Sequence, residues 1–268
     1  MVRRYLIGSS LLLLVLTTMS WAQMSMPGSQ IQDVRPVTPT PPLSLTLSTP
    51  EQLEQRGDEL RESKNYLDAI DYYDAAIKKH PTAILQNKVG MTYLSMGNLA
   101  KAQKCMQKAI KLDKDYAEAF NNLGVVFYLK KKYGQAEKNY TKALALRESA
   151  SFHSNLGTVF VEKKEFDKGM AEYAKAFAMD PDIFERSSRS GVSARMSSPE
   201  DRARFFYFLA KLYASKDENE KSLLYLKKAM EEGFVEIDNV YKDAEFATLR
   251  KDQRFTELMA QRPTAIPQ

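Results

Sequence analysis

The 268-residue sequence has few of the residues that build metal centres and disulfide frameworks. It contains a single cysteine, Cys105, and two histidines, His80 and His153. One cysteine cannot form an intrachain disulfide, and a zinc site with several cysteine or histidine ligands needs more of both. The chain also has no glycine-rich nucleotide loop, no H-E-x-x-H and no G-x-S-x-G. We therefore expect a protein that is not an enzyme and that binds no cofactor or metal.

A large excess of one charge is also missing. The 39 basic and 34 acidic residues give a net charge of +5. Without Arg3 and Arg4, which lie in the predicted signal peptide, 37 basic residues stand against 34 acidic ones, a net charge of +3. A surplus this small does not indicate a nucleic-acid partner.

Long apolar runs are confined to the N-terminus. Two arginines precede an apolar stretch over residues 6–16, which is followed by Ser20-Trp21-Ala22. This order is typical of a secretory signal peptide at residues 1–22, cleaved after Ala22. The stretch is shorter than the roughly 20 apolar residues that a spanning helix needs. We expect export to the periplasm or the extracellular space, with no integral membrane span after cleavage. The alternative is an uncleaved anchor in the inner membrane.

Residues 23–50 differ in composition from the rest of the chain. Proline, serine, threonine and glutamine dominate, and only Asp33 and Arg35 are charged. The stretch has no apolar periodicity with which to build a core, so it predicts a disordered linker. A role as ligand for a partner protein is the alternative.

The body of the chain contains an internal repeat. Each copy has four marked positions. The first is a small residue, the second is a small residue 12 positions later, the third is a bulky residue four positions after the second, and the fourth is an alanine three positions after the third. Bulky residues at fixed offsets from these four positions predict two amphipathic helices per copy. A unit of this kind cannot bury its apolar face alone, so the units must stack. The copies are Gly57/Ala69/Tyr73/Ala76, Gly90/Ala102/Met106/Ala109, Gly124/Ala136/Tyr140/Ala143, Gly157/Gly169/Tyr173/Ala176 and, more loosely, Ala210/Ser222/Leu226/Ala229.

This pattern resembles the tetratricopeptide repeat. Asn122-Leu123-Gly124 and Asn155-Leu156-Gly157 match the Asn-Leu-Gly triplet of that family, and Asp180-Pro181 matches its usual ending. The resemblance implies an all-α fold, a right-handed α-solenoid of stacked helix-turn-helix units with a C-terminal helical cap. We assign four units to residues 51–82, 83–116, 117–149 and 150–183, and a fifth, degenerate unit to residues 203–236.

Two segments lie outside the repeat period. Residues 184–202 carry several arginines among serines, and we predict a solvated loop there. An anion-binding role for these arginines is the less supported alternative. Residues 237–268 contain an apolar series among charges, and we predict a cap that covers the last exposed repeat face and continues into a tail.

The resemblance also implies where a partner would bind. In this family the first helices line a concave groove, and residues one turn apart on them face it. The groove would begin with an acidic stripe and continue through uncharged to basic residues. An alternative is that the acidic residues only solvate the first helix. The predicted groove residues are Glu54, Asp58, Glu62, Asn121, Val125, Tyr128, Ser154, Thr158, Tyr207 and Lys211.

Two functions are consistent with this pattern. The first is a non-enzymatic interaction scaffold that binds a peptide or helical segment of a partner protein, with positive charge toward the first unit. The second is an accessory subunit of an outer-membrane, pilus or secretion assembly.

Overall fold

The computed structural model describes residues 44–184 and 198–263, and its regular structure in these residues is entirely helical. The predicted signal peptide, most of the predicted linker and most of the predicted loop lie outside the described residues. The α-helices are α1 (Pro50–Glu62), α2 (Tyr66–Lys79), α3 (Ala83–Ser95), α4 (Leu99–Leu112), α5 (Ala117–Leu129), α6 (Tyr133–Leu146), α7 (Ala150–Glu162), α8 (Phe166–Met179), α9 (Pro199–Ala214), α10 (Asn219–Glu231) and α11 (Gln253–Ala260). Three 3₁₀ helices lie between α10 and α11, at Ile237–Tyr241, Ala244–Phe246 and Leu249–Lys251.

Several helices begin at a side chain that accepts a hydrogen bond from the first turn. Thr49 and Gln52 form a capping box at α1, and Pro50 occupies the first helical position. Thr82 caps α3 by accepting from the backbone of Leu85, and Asn98 caps α4 in the same way. These side chains satisfy backbone N–H groups that have no partner inside the helix.

The last residues of the predicted linker contact the first hairpin. Residues 44–49 lie against α2, where the Lys79 ammonium donates to the backbone oxygens of Thr46 at 2.7 Å and Ser48 at 2.9 Å. The charge-assisted hydrogen bonds and the cap at Thr49 fix this segment, although its composition resembles that of the residues before it.

The repeated small residues lie where paired helices approach closely. A Cβ atom at Gly124 would lie 2.6 Å from the Tyr140 ring, and one at Gly57 would lie 2.5 Å from the Tyr73 ring. Both tyrosines are fully buried. The tyrosine ring therefore packs directly on the glycine backbone, as the spacing of the repeat predicts.

Short connections join the first four units and reverse the chain direction each time. Arg147, just after α6, lies over the ring of Phe152 in the first turn of α7, at 5.2 Å. Lys163, just after α7, pairs with Glu137 near the start of α6 at 2.8 Å. Neighbouring helices of these units are thus antiparallel, and the first helices of successive units are parallel.

The fifth hairpin stacks in the opposite sense. Lys164, just before α8, pairs with Asp201 in the first turn of α9 at 2.8 Å. At the other end, the Tyr213 hydroxyl donates to the backbone oxygen of Pro181 at 3.0 Å. Helix α9 therefore runs in the same direction as α8. The fifth unit assigned to residues 203–236 is a hairpin, and its first helix starts a few residues earlier, at Pro199 with Ser198 as N-cap.

The C-terminal segment covers the fifth hairpin. Its predicted apolar residues Val240, Phe246, Leu249 and Phe255 are buried in one cluster with residues of α9 and α10, and Leu258 packs against that cluster. Among the described residues, 237–260 thus form the predicted helical cap.

Candidate functional site

The first helices α1, α3, α5 and α7 lie side by side and are joined by polar contacts; we call this surface the first-helix wall. Its centre is a chain of asparagine amides. The Asn155 amide donates to Asn121 at 2.9 Å, Asn121 to Asn122 at 3.1 Å, and Asn122 to Asn87 at 3.0 Å. All four side chains are buried. Because unpaired buried amides are costly, this chain fixes the register of three successive units.

The acidic stripe of the first unit is in contact with the second unit. The Lys88 ammonium lies 2.6 Å from a Glu54 oxygen and 2.5 Å from an Asp58 oxygen. The Tyr73 hydroxyl also donates to Asp58 at 2.7 Å, and burial together with this carboxylate raises the pKa of Tyr73. One ammonium faces two carboxylates here, the Arg61 guanidinium lies near the same Tyr73 hydroxyl, and Glu62 is exposed one helical turn beyond Asp58. The stripe keeps a negative charge, although a smaller one than the sequence suggests.

In the middle of the wall, side chains from neighbouring helices contact one another and leave little surface for a partner. Tyr128 is buried, and its hydroxyl donates to Glu162 at 3.2 Å. The Tyr133 hydroxyl donates to the other oxygen of Glu162 at 3.1 Å. Burial, followed by the charge of Glu162, raises the pKa of Tyr128.

Several predicted groove residues belong to the packing of the wall and not to its surface. Asn121, Val125 and Thr158 are buried, and Thr158 accepts a hydrogen bond from Tyr173 at 3.0 Å. A partner cannot reach these side chains without disrupting the units. Ser154 is half-buried and remains accessible on the wall.

The two predicted groove residues of the fifth unit face the C-terminal cap. The Tyr207 hydroxyl donates to Asp243 at 2.8 Å. The Lys211 ammonium lies 3.0 Å from Asp243 and 3.3 Å from Glu245. Although burial opposes it, hydrogen bonds from Lys211 and Tyr207 hold the pKa of Asp243 below its usual value. The prediction placed both residues by continuing the pattern of the first four units. Because α9 is reversed, they lie against the cap instead.

Sequence reasoning missed Lys88 and the role of the asparagines. Asn122 and Asn155 belong to the two Asn-Leu-Gly triplets, but the triplet alone does not indicate that their amides meet Asn87 and Asn121. The 34-residue spacing between Asn87 and Asn121 was the available signal. Lys88 stands two residues before Gly90, as Asn122 and Asn155 stand before the glycines of the next two units, so its repeat position was the signal that it faces the preceding unit.

Other reactive side chains serve the packing. His153 is buried, and its two ring nitrogens lie 2.5 Å from Glu148 and Glu172. Burial raises the pKa of the half-buried Cys105 thiol. Within residues 44–184 and 198–263, no three histidine, cysteine or acidic side chains are grouped as a metal site would require. In the same residues no helix is both long enough and apolar enough to cross a membrane.

Comparisons with known proteins agree with this architecture. Residues 81–149 match the family described as tetratricopeptide repeat. Hsp70-Hsp90 organizing protein 3 of Arabidopsis thaliana is 24% identical over 95 residues, which are 35% of this chain and only 17% of that relative's length. The structure of Pseudomonas aeruginosa pilF has a TM-score of 0.52 at 16% identity, covering 79% of this chain and 97% of that one. The structure of the APC/C hetero-tetramer Cut9-Hcn1 has a TM-score of 0.50 at 17% identity, and the match covers 75% of this chain and 35% of that one. The two structural similarities concern the fold alone.

Proposed function

We propose, from the tetratricopeptide repeats that this chain carries, that it is a protein-interaction scaffold which binds an extended segment of a partner protein along the first-helix wall. The buried asparagine chain is the observation that supports this proposal most directly. It holds α3, α5 and α7 in one fixed arrangement before any partner arrives. A surface that is already ordered avoids part of the entropy cost of binding.

The charge of the wall indicates the kind of partner. The name of the Arabidopsis relative states that it organises Hsp70 and Hsp90. We do not assign those partners here, because a pocket for a C-terminal carboxylate would need positive charge near the first unit. Glu54 and Asp58 stand there with one ammonium between them. A segment with lysine or arginine toward α1 fits this charge better.

Site-specific photo-crosslinking tests the proposal. A photoreactive residue placed at Ser154 should capture a partner, whereas one at Lys138, exposed on α6, should not. Mass spectrometry of the crosslinked product then identifies the partner and the bound segment. Capture from both positions with equal yield would argue against binding at the wall.

Charge variants then test how the identified segment binds. Glu54→Lys combined with Asp58→Lys should weaken binding and flatten its salt dependence, whereas Lys88→Ala should strengthen it, because it leaves both carboxylates unneutralised. Asp68→Lys combined with Asp71→Lys, on the exposed side of α2, is the control with the same change of charge. Equal affinity of all variants would contradict a role for the acidic stripe.

The second candidate function is an accessory subunit of an envelope assembly complex. It is supported by the predicted signal peptide at residues 1–22. Stable co-purification with membrane proteins from detergent-solubilised envelopes would favour this function, and recovery in a membrane-free periplasmic or extracellular fraction would favour the first.

A further inference from the structure

The reversed fifth hairpin creates a cleft that is separate from the first-helix wall. Its volume is about 590 Å³, and it lies between the start of α8, one face of α9 and the residues that follow α10. It exists because the start of α9 lies beside the start of α8, where Arg204 stacks on the ring of Phe166 at 4.5 Å. None of its lining residues belongs to α1–α7.

The floor of the cleft is apolar and largely aromatic. The rings of Tyr207 and Phe234 are stacked with centroids 4.5 Å apart, and Phe166, Met170 and Phe208 are half-buried beside them. A cleft of this size and lining suits one large apolar side chain and its neighbours. Aromatic faces also attract cations.

The rim of the cleft is acidic. Four acidic residues line it against two basic ones, and one of the acids, Glu232, is paired with Arg202 at 2.9 Å. Both basic residues already contact acids: Arg204 lies 3.1 Å from Glu200, and Lys211 is held by the cap. Asp167 and Glu236 are exposed at opposite sides of the opening. The cleft therefore attracts positive charge.

We propose that this cleft is a second binding site, which takes a protein segment with an aromatic or large aliphatic side chain flanked by lysine or arginine. The apolar side chain packs against Tyr207, Phe208 and Phe234. The flanking cations pair with Asp167 and Glu236 at the rim. The charge of the rim and the apolar floor together select this class of segment over an acidic or a purely polar one.

Fluorescence anisotropy with short labelled peptides tests the site. The probe is a peptide with the core Lys-Lys-Trp-Lys-Lys, and two matched peptides replace its tryptophan with serine or its lysines with glutamates. We expect binding of the first peptide, roughly tenfold weaker binding without tryptophan, and no binding of the glutamate peptide. Equal binding of the tryptophan and serine peptides would overturn the proposal.

Variants of the full chain locate the binding. Asp167→Lys combined with Glu236→Lys should weaken binding about tenfold at low salt, whereas Asp68→Lys combined with Asp71→Lys should leave it within about twofold. Asp167 and Asp68 are both exposed in the first turn of a second helix, so the control reproduces the local change. Equal weakening by both pairs would overturn the site.

Amide chemical-shift mapping separates this site from the wall. Shifts on addition of the peptide should concentrate at residues 203–208 and 232–236. Shifts confined to α1 and α3 would contradict the cleft while leaving the proposed function of the wall standing.

Discussion

The first four hairpins and the fifth share the same internal packing but stack in opposite directions. In the fifth, the Ser222 hydroxyl donates to the backbone oxygen of Ala210 at 2.8 Å, and both residues are fully buried. This is the same close crossing of small residues that Gly157 and Gly169 make in the fourth unit. The repeated small residues therefore determine how two helices pair within a hairpin, and they do not determine how that hairpin stacks on the one before it.

The length of the connection accounts for the difference. Residues 80–82, 113–116 and 147–149 join the first four units. Connections this short oblige the next helix to start at the end where the previous one stopped. Residues 180–198 join α8 to α9. A connection of that length can span the roughly 20 Å of a 14-residue helix, so α9 can begin at the opposite end.

The largest expected effect comes from removing the cap. A chain ending at residue 236 loses seven apolar side chains of the cluster that includes α9 and α10. Burial of each contributes about 1.5–3 kcal/mol, a sum comparable with the net stability of a whole domain. We expect α9 and α10 to lose protection from hydrogen exchange and the protein to aggregate, while α1–α8 stay protected.

A chain ending at residue 263 is the control, because it keeps the cap. If α9 and α10 of the truncated chain kept full protection from hydrogen exchange, the cap would not be needed for the fifth hairpin to fold, and the prediction would be wrong.

A smaller effect is expected within a regular unit. Gly124→Leu places a side chain where even a Cβ atom would lie 2.6 Å from the Tyr140 ring, so the two helices must separate. Overpacking of this kind costs roughly 1–3 kcal/mol, measured by urea unfolding. Gly134→Ala is the matched control, because no atom lies within 4 Å of the added Cβ and alanine favours the helix. Destabilisation by both changes would mean that the effect is not specific to the crossing.

The smallest expected effect concerns a difference between two regular units. The Tyr173 hydroxyl donates to Thr158, but the equivalent partner of Tyr140 is Val125, and the buried Tyr140 hydroxyl has no hydrogen-bond partner among the described residues. Each change should alter the free energy of unfolding by about 1 kcal/mol: Val125→Thr should stabilise the protein, and Thr158→Val should destabilise it. Urea unfolding should show that the two variants change the free energy of unfolding in opposite directions. Changes in the same direction would show that a partner for the tyrosine hydroxyl does not stabilise these units.

Much of the fold could be predicted from local spacing, and the parts that could not depend on contacts between distant residues. The tetrads around Gly57, Gly90, Gly124 and Gly157 predict α1–α8 because each tetrad describes a contact inside one hairpin. The reversal of α9 brings Lys164 next to Asp201, a contact between two hairpins that no spacing within one hairpin predicts. The positions of Tyr207 and Lys211 were wrong for that reason.

The candidate site was predicted in part for a related reason. Helical spacing identifies which residues share a face of one helix, and Glu54 and Asp58 do both contact Lys88. It does not identify which side chain of the next helix comes between them, so Lys88 was missed. Spacing also does not separate a residue on the surface of the wall from one buried between helices, as Asn121 and Val125 are.

The C-terminal cap also limits how the repeat number can change through duplication of a 33- or 34-residue segment. A copy inserted between the first and fourth units leaves the chain at the same end of the stack, so every later helix keeps its partners. A copy added after the fifth hairpin would meet Val240 and Phe246 of the cap where its own partner surface should be. The array can therefore lengthen between its first and fourth units, whereas a copy added at its C-terminal end would have to displace the cap.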